Sequence, residues 1–140
     1  MANASTTGFG LRPIKKVGQT DNVGALTEYS VAASSALISH AAMVQLTADG
    51  VVLASGNTDA NNLGTLNGVF YTDADTSKPT FANFSKASNT ATDIVAFVND
   101  DPRQVYEIMS ADTAFNQNEV GGCADQVAAV GTTPLFISKS

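Results

Sequence analysis

The 140-residue chain has no tryptophan, one cysteine, one histidine and four prolines, and only 14% of its residues are charged. Each scarcity removes a class of chemistry. The lone Cys123 can form neither an intramolecular disulfide nor a cysteine zinc site, so it is expected to be a small buried apolar side chain made in a reducing compartment. The lone His40 leaves no two-histidine metal face and no HExxH helix, and a structural or interface role is expected for it. No GxSxG elbow presents any of the twelve serines as a nucleophile, and neither GxxxxGK[ST] nor GxGxxG is there to cradle a phosphate. No apolar run approaches the roughly 18 residues of a membrane helix. The opening, MANASTTGFGL, lacks a basic stretch leading into an apolar one, so neither secretion nor membrane association is predicted. A non-enzymatic protein without catalytic residues, metal or cofactor is expected.

What is there is small and neutral. Ala, Gly, Ser, Thr and Asn supply 70 of the 140 residues, and Ala alone supplies 21, so bulky core formers are scarce. Such a surface suits close packing against another protein. The net charge of −6 is unevenly placed. Met1 to Lys16 holds three of the seven basic residues, Arg12, Lys15 and Lys16, and none of the thirteen acids, so the remainder carries −9. An acidic body argues against nucleic-acid binding, which needs clustered Lys and Arg.

The organisation is that of one domain, residues 25–140, behind an extended N-terminal arm, residues 1–24. In the arm Gly8, Gly10, Pro13 and Gly18 break any helix. Phe9 and Leu11 stand at the alternate spacing of an extended strand. Two exposed apolar side chains on a free arm are unfavourable, so the arm is expected to dock on the domain or on a neighbour, with Phe9, Leu11, Arg12, Ile14, Lys15 and Lys16 as its partner-binding residues. From Leu26 onward short strand candidates alternate with turn residues, the pattern of an all-β, small antiparallel barrel or sandwich. Strands are predicted near Thr27–Ala33, Met43–Thr47, Val51–Ala54, Gly68–Tyr71, Thr80–Phe84, Ile94–Val98, Val105–Ile108 and Leu135–Ser138. At most one or two short helices are expected, chiefly at Cys123–Val130, while Ala32–Ala42 reads as short helix or as strand and loop.

Three turns punctuate this pattern: Ala48-Asp49-Gly50, the strongest hairpin signal, Ser77-Lys78-Pro79, and Asn99-Asp100-Asp101-Pro102. Asp100, Asp101 and Pro102 are expected to redirect the chain between two paired strands. The acidic pairs Asp73/Asp75 and Asp100/Asp101, and Asp59 in the polar loop Gly56–Asn62, offer hard oxygens of the kind calcium takes, but none has EF-hand spacing. Asp and Asn nucleate turns through their own side chains, and that role is expected here. Residues Ser85–Thr92 read as another exposed loop. Tyr29, Phe70, Tyr71, Phe81, Phe84, Phe97 and Tyr106 fall on strand candidates, where core and cross-strand packing is expected before any ligand platform.

Residues 93–108, DIVAFVNDDPRQVYEI, resemble a segment of small structural proteins of tailed bacteriophages, in which a strand enters an Asp-Asp-Pro turn and returns as an aromatic-Glu-aliphatic strand. Asp100, Asp101, Pro102, Val105, Tyr106 and Glu107 carry the likeness. The stretches TTGFGLRPIKKVGQTDN, EYSVAASSA and GTLNGVFYTDADTSKPTF are similar to the same marine podophage-type proteins, and together these segments cover more than half the chain. The resemblance implies a virion protein made in the host bacterial cytoplasm: a capsid decoration or cement protein bound to the major capsid protein, as a homo-oligomer (trimer or dimer) on the capsid surface. It leaves open another virion component, such as a head-fibre base, tail or connector protein, and a surface carbohydrate-binding module.

Overall fold

A computed structural model describes residues 9–18, 26–32, 35–53, 61–108 and 117–122. They form two antiparallel sheets and no α-helix, with a single 3₁₀ turn at Gln117–Glu119. The protein is all-β. Strand β5 (Asn62–Thr72) is the spine. One of its edges pairs with β7 (Val95–Asn99). The other takes β3 (Met43–Thr47) along its first half and β6 (Pro79–Ala82) along its second. Strand β2 (Thr27–Ser30) adds outside β7, and β4 (Gly50–Leu53) outside β3. The smaller sheet is a ribbon of β1 (Arg12–Lys16) with β8 (Gln104–Glu107).

The two ends of the larger sheet approach each other, because Val31 makes an isolated parallel bridge to Val51. The sheet therefore curls, and among the described residues it stops short of a closed barrel. Inside the curl lie Ile38, Val44, Val51, Leu66, Val69, Ala96 and Val98, with Tyr71 and Ile94 at the margin. Each such aliphatic side chain is worth about 1.5–3 kcal/mol when fully buried. Small residues do much of the remaining filling, as the composition requires: Ala42 and Ala96 are almost wholly enclosed.

The strand forecasts map closely onto β2, β3, β4, β6, β7 and β8, and the Ala48-Asp49-Gly50 hairpin forms, with Gly50 at φ +130. Ser77, at φ +54, turns the chain from β5 into β6. One expectation changes. Strand β5 begins six residues before the predicted Gly68, because pairing with β3 holds the polar stretch Asn62–Asn67 extended against its weak strand propensity. Of the two readings of Ala32–Ala42, the described residues take strand and loop: no helix forms, and Ile38 bridges to Ser85. Cys123–Val130, Leu135–Ser138, Asp59 and Cys123 lie outside the described residues.

Candidate functional site

Of the two docking places open to the N-terminal stretch, residues 9–18 take the domain itself. Strand β1 pairs with β8, the Leu11 N–H donates to the Ala41 carbonyl at 2.9 Å, and the Val17 N–H donates to the Arg103 carbonyl at 2.9 Å. Leu11 is buried. Lys16 pairs with Asp101 at 2.6 Å, and Arg12 with Glu107 while lying 5.3 Å from the Phe9 ring centre. Leu11 and Lys16 are thus occupied within the chain. Lys15 remains exposed, as does Ile14, which sits at the irregularity between Pro13 and Lys15.

The Asp-Asp-Pro turn is where the two sheets are tied together. Asp100 accepts hydrogen bonds from the Tyr29 hydroxyl at 2.7 Å and the Thr27 hydroxyl at 2.9 Å, both on β2. Asp101 accepts from the Arg103 N–H at 2.8 Å and binds Lys16 on β1. One carboxylate therefore faces each sheet. The Asp100 carboxylate, by accepting its hydrogen bond, holds the Tyr29 phenol above its ordinary range, and the Lys16 ammonium holds Asp101 below the usual carboxylate range. The expected partnering of the strands on either side of this turn is corrected: β7 pairs with β2 and β5, and β8 with β1. Both edges of β7 are filled, so the chain leaving it has to start a second sheet. Asp73 shows the same local use of a carboxylate, accepting from Asp75 N, Thr76 N and Thr76 Oγ1. Among the described residues no group of three or more His, Cys, Asp and Glu is placed to hold a metal ion.

Docking of the N-terminal stretch walls off a cleft of about 430 Å³. Phe9, Pro13, Leu26, Ala41 and Leu66 give it apolar walls, and Arg12, His40, Thr65, Asn67 and Asn99 give it polar ones. His40 Nδ1 lies 3.0 Å from the Asn67 carbonyl oxygen. A carbonyl only accepts, so Nδ1 carries a proton. Gln104 Nε2 donates to the Lys15 and Val105 carbonyls, which turns its Oε1 toward Asn99 and makes Asn99 Nδ2 the donor at 3.4 Å. Asn99 Oδ1 is buried with no hydrogen-bond partner among the described residues. Ala41, at φ +58, sits in the left-handed region that a non-glycine residue occupies at a cost of about 1–2 kcal/mol.

On a second surface the aromatics take the cross-strand half of their expected role and not the core half. Alternation along β5 sends Val69 and Tyr71 inward and Phe70 outward. Directly across from Phe70 on β6 stands Phe81, and the two are 41% and 63% exposed. The Phe81 ring packs over Gly68, where a Cβ would come within 2.9 Å of it, and lies 6.0 Å from the ring of Phe97 on β7. Three phenylalanines from three strands thus share the solvent face of the larger sheet. Period-two alternation was the available signal, but the apolar neighbours Val69, Phe70 and Tyr71 hid which parity faces out.

No protein-family model, curated protein or solved structure matches the chain.

Proposed function

We propose that the protein is a non-enzymatic structural component of a tailed-phage particle, a decoration or cement protein that binds the assembled shell of major capsid protein. The observation that carries this reading is the solvent face on which exposed Phe70 and Phe81 stand beside half-buried Phe97. An apolar patch built from three strands of a small domain marks a surface made for another protein. The sequence resemblance at residues 93–108 and 64–81 names the particle as its setting, and the scarcity of charge suits a dry contact. Seating in many symmetric copies, as a dimer or trimer, would multiply a modest contact into lasting reinforcement.

The test is co-sedimentation of the purified chain with shells of its cognate capsid protein. Retention is expected, and Phe81→Ser is expected to weaken it at least tenfold, the loss of about 1.5–3 kcal/mol of buried aromatic surface. Equal retention of the variant would remove the sheet face from the contact. The same exposed rings favour a second reading, a glycan-binding module, since sugars stack on aromatic faces. Binding to host surface polysaccharide that Phe81→Ser abolishes, without shell retention by the unaltered chain, would select it.

A further inference from the structure

We propose that the cleft between the N-terminal stretch and the larger sheet is a docking site for an extended segment of a partner protein in which an acidic side chain adjoins an apolar one. This stands apart from the sheet-face reading. The charge argument comes first: in a chain of net charge −6, the ionisable side chains lining the cleft are Arg12 and His40, with no carboxylate among them. Glu107 meets Arg12 at Nη2, and a guanidinium has five N–H donors in a planar fork that suits carboxylates. Beside Arg12, the one fixed cation of the lining, lie Phe9, Leu26 and Leu66, which would take an apolar side chain. The volume of about 430 Å³ falls in the range of formed ligand pockets, roughly 300–1,000 Å³.

Two independent features of the wall point the same way. Asn99 is 97% enclosed and keeps an amide oxygen without a donor, and the bonds of Gln104 fix it as an acceptor. The oxygen is enclosed in the free chain, and a peptide N–H of the segment would satisfy it only as the wall opens. Ala41 holds a left-handed backbone in the floor, and strain of that kind gathers at ligand clamps.

The experiment is an amide-resolved NMR titration of the full ¹⁵N-labelled chain with the blocked dipeptides Ac-Leu-Glu-NH₂ and Ac-Leu-Gln-NH₂, and with glutarate alone. The Glu dipeptide should shift the amides of Ala41 and Thr65–Asn67, and the Gln form should bind about 1.5- to fivefold more weakly, the range for a carboxylate meeting an arginine that is 61% exposed. Arg12→Gln should erase that difference, and Asn67→Phe, a rim substitution at an exposed position, should block both dipeptides. Phe81→Ser should change nothing here, which separates this site from the sheet face. Shifts located elsewhere, no shifts, equal binding of the two dipeptides, or glutarate binding as tightly as the Glu dipeptide would each overturn the proposal. Should Arg12→Gln loosen β1, the Asn67→Phe result decides alone.

Discussion

At the scale of single residues, close approach explains more than conformation does. A Cβ on Gly64 would lie 2.0 Å from the Asn99 carbonyl oxygen, main chain that cannot swing away, whereas a Cβ on Gly18 would meet nothing within 4 Å. Gly64→Ala is therefore expected to cost about 1–3 kcal/mol by overpacking. Gly18→Ala should cost about 1–2 kcal/mol, from its positive φ alone. Urea midpoints check both, and an unchanged midpoint for Gly64→Ala would mean that β5 and the end of β7 do not approach as described. Tyr29 gives a second residue-scale outcome. Its folded pKa is raised by the hydrogen bond to Asp100, so its contribution is fully present below the unfolded value near pH 10 and is lost as pH rises through the higher folded value. Tyr29→Phe should lower stability at neutral pH by about 1 kcal/mol and flatten the fall of stability above pH 10. Alkaline denaturation with both proteins measures this. Neither contact was readable in advance: Gly64 fell between the predicted loop ending at Asn62 and the strand predicted from Gly68, and Tyr29 and Asp100 are 71 residues apart.

At the scale of elements, local punctuation was legible and distant pairing was not. Ala48-Asp49-Gly50 and Ser77-Lys78-Pro79 carry their turn chemistry in adjacent residues, and both make hairpins. Asn99-Asp100-Asp101-Pro102 has equally clear turn residues yet joins strands of different sheets, because β2 and β5 already occupy both edges of β7. Which edges are taken is a property of the whole sheet, and no short window reports it. The cleft is hidden for the same reason, since its walls come from residues 9, 12–13, 26, 40–41, 65–67 and 99. Phe9, Arg12, Pro13, His40 and Asn99 stood out beforehand, each for a separate reason of spacing, charge, helix breaking, uniqueness or turn chemistry, and nothing in the sequence joined them. The β1–β8 ribbon makes its own prediction. Lys16 holds the Asp101 pKa down, so this pairing is intact above the unfolded carboxylate pKa near 3.9 and is lost as pH falls through the lower folded value. Amide spectra across that acid range should show Lys15 to Val17 loosening before β5 and β7, with the order lost in Lys16→Gln. Simultaneous loss in both proteins would show that the ribbon is not separately held. Because β1 is the described partner of β8, removal of residues 9–17 would disturb the fold as well as any contact made by Ile14 or Lys15.

At the scale of the molecule, a curled all-β domain turns a core of small residues inward and leaves three phenylalanines on its outer face. Burying Phe70 and Phe81 in the core would have added about 1.5–3 kcal/mol each. Their placement outside is the feature that a binding role accounts for and a solitary soluble domain does not. It also predicts self-association when no shell is offered: at high concentration the unaltered chain should sediment faster than Phe70→Ser/Phe81→Ser, and identical sedimentation would remove the sheet face as an oligomer contact. The central claim, that this face seats the protein on a capsid shell, is tested most directly by hydroxyl-radical footprinting of the chain free and bound to purified shells, with oxidation of Phe70, Phe81 and Phe97 read by mass spectrometry. Strong protection of Phe70 and Phe81 on the shell, with buried Tyr71 equally unreactive in both states, is the predicted result; a bound chain whose Phe70 and Phe81 oxidise as fast as in the free protein would contradict it.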